Sequence, residues 1–145
     1  MATHRATIKQ LTTVLGAIPL FEDLSNKHLK KVADLAEVAR FMAGATLVRQ
    51  GEIGDSFYVV LTGQAKVVAN GRTVNRLFPG DHFGEISLLD GGPRSASVAS
   101  ETEMTLVIIR QKDFLGMLSK DPEITICLLE GMARSVRRLD RSLAG

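Results

Sequence analysis

The chain has 145 residues, with 18 Lys and Arg against 16 Asp and Glu for a formal net charge of +2, and it is 45% hydrophobic and 23% charged. That length fits one domain with room for a sizeable core, and the composition is that of a globular chain rather than a disordered one. The uncharged run at 11–21 falls far short of the roughly 20 apolar residues of a membrane span, and it lacks the small-x-small cleavage site of a signal peptide. The lone Cys127 excludes an internal disulfide and a cysteine-rich zinc site. A cytoplasmic protein is therefore expected, and the small net charge gives no argument for nucleic acid.

In chain order, Ile8, Leu11, Leu15 and Ile18 are spaced three or four apart on one helical face, and Pro19 ends that run. Ser25 is a good N-cap for a second helix that carries Leu29, Val32, Ala33 and Ala36 inward. From Val38 to Arg110 the character changes to short β-branched or aromatic runs, at 38–42, 46–49, 57–61, 65–68, 73–78, 95–99 and 104–110. A further strand runs from the Pro79-Gly80 turn to Phe83-Gly84, and a short apolar stretch after it reads as one helical turn. Glycines separate these runs, and Asn70-Gly71 between two of them predicts a hairpin. Strands at this spacing predict a sandwich, jelly roll or barrel. Residues 112–118 predict a short helix, and Asp121-Pro122 caps and opens a last one. There Ile124, Leu128, Met132, Val136, Leu139 and Leu143 form one apolar stripe, with Arg134, Arg137, Arg138 and Arg141 mostly off it. Glu130 and Arg134 are spaced as an i,i+4 pair.

The usual catalytic motifs are missing: no G-x-S-x-G, no H-E-x-x-H, no Walker loop and no G-x-G-x-x-G. His4, His28 and His82 are scattered, and Cys127 reads as core. The segment 83–98, FGEISLLDGGPRSASV, has the character of an anion site. Gly84 admits a ligand close to the backbone, helix-start N–H groups favour phosphate, and Arg94 can fork onto two phosphate oxygens. An ionised Glu85 only accepts hydrogen bonds, so its natural partner is a hydroxyl such as a ribose 2′-OH. Arginine for phosphate and carboxylate for ribose together point to a nucleotide. The same two residues also fit a structural ion pair across the turn. Asp90 has no assigned role and reads as solvated.

This segment resembles the phosphate-binding cassette of cyclic nucleotide-binding domains, roughly F-G-E-x-[AS]-L-[LM]…R-[ST]-A-[ST]-V, at every key position. Pro19-Leu20-Phe21, the Gly51-Glu52-x-Gly54-Asp55-x-Phe57-Tyr58 run and Pro79-Gly80-Asp81 extend the resemblance over about residues 18–120. It implies an α+β, mainly β fold: an antiparallel β-roll or jelly roll of about eight strands, with helices at the N- and C-termini. It implies one domain over 1–145, with a helical lead-in at about 6–37, the roll at about 38–110, the cassette at 83–98 and helices at about 112–143. Glu85 and the Gly84 backbone would hold the ribose, and Arg94 the cyclic phosphate. Backbone N–H groups around Ile86, Ser87 and Ala96, with the Ser95 hydroxyl, would complete the cradle. Phe83 belongs to the same set, and Val67, Leu77 and Ile86 are candidates for the walls around the base. Val67 and Leu77 serve equally well as plain core.

The implied ligand is cAMP, with cGMP open because a serine after the arginine occurs in binders of both; a cyclic dinucleotide and a separate cofactor are not expected. The nine-residue step from Glu85 to Arg94 is similar to the kinase-regulatory and channel versions. No winged helix, catalytic domain or membrane helix follows, so the resemblance implies a stand-alone sensor with no enzymatic activity, read by an unknown protein effector. The last helix serves as a lid, with an arginine such as Arg134, Arg137 or Arg138 at the base, or as a homodimer seam; DNA binding is not expected. Two alternatives remain: an interaction module that no longer binds nucleotide, and a cupin-type metal enzyme, for which only His82 stands in the right half of the chain.

Overall fold

The computed structural model describes residues 7–144, without the side chains of Glu85, Ile86, Ser87 and Ala144. Helix α1 (Ile8–Gly16) opens with a reciprocal cap: Gln10 N donates to Thr7 Oγ1 at 3.1 Å, and Thr7 N donates to Gln10 Oε1 at 2.9 Å. Leu11 and Leu15 are buried as the spacing predicts, but the helix stops at Gly16, before Pro19. Ile18 reaches the core from outside the helix, and Pro19 instead opens a single 3-10 turn (Pro19–Phe21) that buries Leu20 and Phe21. Helix α2 (Asn26–Ala33) is capped by Ser25, whose Oγ accepts from His28 N at 3.3 Å. Leu29, Val32 and Ala33 are buried, whereas Ala36 lies beyond the helix end.

Among the described residues the middle of the chain forms eight strands in two antiparallel four-stranded sheets. The first sheet runs β1 (Glu37–Phe41), β8 (Met104–Arg110), β3 (Ser56–Thr62), β6 (His82–Phe83). The second runs β2 (Thr46–Val48), β7 (Ser97–Ser100), β4 (Ala65–Ala69), β5 (Arg72–Leu77). β4 and β5 are joined by Asn70 and Gly71 at φ 53° and 79°, the doubly left-handed type I′ turn that Asn-Gly favours.

The first sheet is buried on both faces. Side chains alternate along a strand, so Phe57, Val59, Val107 and Ile109 face the terminal helices, and Val60, Leu106 and Ile108 face the second sheet. This is why β8 carries the continuous apolar stretch 106–109 rather than an alternating pattern. On the helical side the Phe21 ring lies 5.9 Å from both Phe57 and Phe114.

Two helices close the chain, α4 (Gln111–Lys120) and α5 (Pro122–Ala144). Asp121 separates them, accepting from Ile124 N at 3.2 Å and from Lys31 Nζ at 2.6 Å. Cys127 is half-buried against the core. The apolar stripe of α5 is divided. Ile124 and Leu128 are buried, but Met132, Val136, Leu139 and Leu143 are exposed, because the body of the molecule does not extend under them.

Candidate functional site

Between the second sheet and the segment after β6 lies a cleft of about 600 Å³. Val48, Val67, Leu77 and Val98 form its apolar wall, and Gly84, Arg94, Ser95 and Ala96 its polar end.

Arg94 is 8% exposed, which is rare for an arginine unless the guanidinium is well partnered. Its Nη2 donates to the Ser56 carbonyl at 2.7 Å, and its guanidinium carbon stands 5.8 Å from the centre of the Tyr58 ring. Tyr58 in turn stacks on Phe83 at 4.7 Å, as their cross-strand pairing between β3 and β6 dictates. The backbone of Arg94 is pinned as well. Its N–H donates to Glu52 O at 2.8 Å, and its carbonyl accepts from Gly51 N at 2.8 Å. Gly54 N donates to Gly92 O at 3.0 Å, and Ile53 bridges Pro93. The glycine loop at 51–54 therefore clamps the Gly92-Pro93-Arg94 segment. For this reason β7 starts at Ser97 and not at Ser95 as expected from sequence: Ser95 and Ala96 bend away to line the cleft.

Gly84 sits at φ 86°, and a Cβ there would lie 2.7 Å from Ser56 O and run into Arg94 Nη1. Only glycine lets the backbone pass this close to the arginine. The six-residue helix α3 (Glu85–Asp90) begins at the next residue, with Leu88 N donating to Gly84 O at 3.1 Å. Asp90 is exposed, as expected, but it has work at its far end: Oδ1 accepts from Gly92 N at 2.8 Å and shapes the turn into Pro93.

Of the residues singled out from sequence, Phe83, Gly84, Arg94, Ser95, Ala96, Val67 and Leu77 meet around this cleft. The side chains of Glu85, Ile86 and Ser87, and His4, lie outside the described residues. Val48 also lines the cleft, as do His82, Asp90 and Val98, to which the sequence reading gave no ligand role. The β-branched valines in the two predicted strands were the available signal for Val48 and Val98, but it becomes specific only once the pairing Val48↔Val98 is known. His82 is half-buried beside Phe57, 5.7 Å between ring centres. Among the described residues, no three or more of His, Cys, Asp and Glu are grouped to hold a metal ion.

No described residue of α4 or α5 lines the cleft. Arg134 binds Asp23 at 3.0 Å, in place of the i,i+4 partner Glu130 that the spacing suggests. Arg138 reaches Glu22 at 3.4 Å and the Ser135 hydroxyl at 3.0 Å. Among the described residues no helix is long and apolar enough to cross a membrane.

Known proteins resemble this chain in sequence and fold. The profile of the cyclic nucleotide-binding domain matches residues 38–121. The cAMP-dependent protein kinase regulatory subunit of Schizosaccharomyces pombe is 34% identical over 107 residues, which cover 73% of this chain and 26% of the relative. A cyclic nucleotide-gated potassium channel of Rhizobium etli is 34% identical over 111 residues, 77% of this chain and 31% of the channel. The chain thus spans between a quarter and a third of these relatives. The crystal structure of the N-terminal domain of a transcriptional regulator from Streptomyces coelicolor A3(2) superposes with a TM-score of 0.81 at 31% identity, over 88% of this chain and 95% of that domain. With a matching profile across more than half its length, and a buried arginine against a glycine in the cleft of a two-sheet roll, the chain belongs to the cyclic nucleotide-binding domain family.

Proposed function

We propose that this chain is a cytoplasmic receptor domain for a cyclic mononucleotide, cAMP first and cGMP second, which binds its ligand without transforming it. The observation that carries the reading is Arg94: a permanently charged group, almost wholly buried, at the polar end of an otherwise apolar cleft. A buried cation beside an open volume calls for an anion, and the cyclic phosphate supplies one negative charge shared over two exocyclic oxygens that a guanidinium fork can meet. The cleft volume is in the range of small-molecule sites.

In this reading Arg94 grips the phosphate, with the Ser95 hydroxyl and the backbone of Ile86, Ser87 and Ala96 around it. Glu85 and the Gly84 backbone take the ribose. Val67, Leu77 and Ile86 face the base, and Phe83 supports Tyr58 beneath the arginine. The preference for cAMP is supported by the kinase regulatory subunit, which is named for it. Ser95 keeps cGMP open, because its hydroxyl can also meet a guanine amino group. The output is a rearrangement of the terminal helices toward a protein effector or a second subunit, and the ligand drives it only by binding one arrangement better.

Calorimetric titration of protein unfolded and refolded free of bound nucleotide tests this, with cAMP, cGMP and 5′-AMP. Binding of a cyclic nucleotide but not 5′-AMP is expected. Arg94→Ala is expected to weaken binding by about 30-fold or more, the scale for truncating a buried charged partner. Arg94→Lys, which keeps the charge but not the fork, is expected to recover only part of it. No binding by the wild-type chain would leave a non-binding interaction module, and unchanged affinity in Arg94→Ala would remove Arg94 from the site.

A further inference from the structure

Gln50 stands two residues beyond β2, where the strand order β2-β7-β4 brings three segments of the cleft together. Its N–H donates to Ser97 Oγ at 2.8 Å, and the next N–H, that of Gly51, donates to Arg94 O at 2.8 Å. Two consecutive backbone donors thus pin both ends of the segment 94–97, and the residues between them, Ser95 and Ala96, line the cleft. The Gln50 side chain ties the same point to the tip of the β4–β5 hairpin. Its Oε1 accepts from Asn70 N at 2.9 Å, and its Nε2 donates to Asn70 Oδ1 at 2.9 Å. A backbone N–H can only donate, so the first bond sets the orientation of the Gln50 amide and, through it, that of Asn70. β4 carries Val67, which pairs with Val98 in β7, itself paired with Val48 in β2. One residue therefore fastens the polar end of the cleft to its apolar wall.

We propose that Gln50 and Asn70 are positioning residues for the cleft: their paired amides fix the apolar wall relative to the Arg94 fork, and so set ligand affinity without touching the ligand. The proposal rests on the receptor reading of the cleft. A nucleotide that meets the arginine with its phosphate and the wall with its base needs both ends correctly placed at once. Geometry held before binding costs less ordering on binding. The arginine itself is already fixed locally, by Ser56 and Tyr58 at its guanidinium and by Gly51 and Glu52 at its backbone. Those contacts leave open the placement of the β4–β5 hairpin. β5 is a sheet edge with β4 as its one neighbour among the described residues. The ladder between them shifts register between Val67 and Val68, just before the tip. The amide pair supplies the tie that this ladder lacks there.

The test measures cAMP affinity by calorimetry at about 500 mM salt, where charge added by a variant is largely screened, with a thermal melt of each protein alongside. Gln50→Ala removes both side-chain bonds and keeps the backbone N–H. It is expected to weaken binding about fivefold, the scale of one or two exposed hydrogen bonds. Gln50→Glu is the conservative rescue: its carboxylate still accepts from Asn70 N, and the Asn70 amide can turn over to donate to it through Nδ2. Asn70→Asp keeps the acceptor that Gln50 Nε2 needs. Each of these two changes should stay within about twofold of wild type, whereas the Gln50→Glu/Asn70→Asp double variant sets acceptor against acceptor and should bind about tenfold more weakly. Arg94→Lys separates positioning from plain support. If the tie works by placing the wall against the fork, Gln50→Ala should cost little further affinity once the fork is gone; a merely structural tie would lower the melting temperature and cost the same factor in both backgrounds. Wild-type affinity in Gln50→Ala, or an equal loss in the two backgrounds, would overturn the positioning role while leaving the receptor reading in place. Failure of the wild type to bind cAMP or cGMP would overturn both.

Discussion

Arg94 and Gly84 are each readable from sequence, because each has a chemistry that few other roles require. What holds them is not readable. Among the described residues the acceptor for the guanidinium is a backbone carbonyl, Ser56 O, which any residue type would supply, and its platform is Tyr58, a ring that reads equally well as core. Both follow from the register of β3 against β6, information that is nonlocal. Gly84→Ala is expected to lose ligand binding and to melt at lower temperature. The positive φ alone costs about 1–2 kcal/mol for a residue with a Cβ, and the Cβ would lie 2.7 Å from Ser56 O, where it must move either the strand or the arginine. Gly80→Ala is the control. It has the same kind of φ, 94°, but open space around the added carbon, so it should show the strain in its melting temperature and keep its affinity. Equal binding by the two variants would mean that the contact between Gly84 and Arg94 is unimportant.

At the scale of elements, strands and caps were legible wherever the signal was local. Asn70-Gly71 forms the turn its φ preferences dictate, and Ser25 and Asp121 cap the helices they precede. Ends set by tertiary contact were not. α1 gives way to a 3-10 turn because Leu20 and Phe21 have a core to fill, and β7 starts late because the glycine loop has already paired with Arg94. Periodicity placed the stripe of α5 but held no information about how much body lies beneath it. Asp121 gives this scale a pH signature. The hydrogen bond from Lys31, then that from Ile124 N, holds its carboxyl below the ordinary value of 3.8. Lowered in the folded state, it contributes stability that is complete above the unfolded value and is lost as pH falls through the lower folded one. Thermal melts between about pH 6 and pH 2 should therefore show Asp121→Asn less stable than wild type near pH 6, with the gap closing below about pH 4. A gap that is constant with pH would mean the carboxylate acts through its shape alone.

Across the whole molecule, one sheet separates two cores and serves both. Phe114 and Phe21 lie on the helical side, while Val60, Leu106 and Ile108 face the second sheet. Glycine-punctuated strands between helical ends narrowed the fold to a sandwich, jelly roll or barrel, and the resemblance carried by residues 83–98 then implied the roll that is found. Which core each strand residue joins was not legible, since β8 is apolar on both faces. Phe114→Ala is expected to cost about 3–5 kcal/mol, the range for removing a fully buried phenylalanine. If the cleft binds its ligand, cAMP at 100 times its Kd should return about 2.7 kcal/mol of that loss in denaturant melts. Equal midpoints with and without cAMP would show that the ligand does not prefer the folded state.

Tyr58 has a spectroscopic consequence. The chain contains one tyrosine and no tryptophan, and that tyrosine is stacked on Phe83 directly under Arg94. Its emission is therefore free of the indole background that hides tyrosine in most proteins, and its only source lies against the guanidinium. The unlabelled protein carries its own optical reporter of whether that arginine has company.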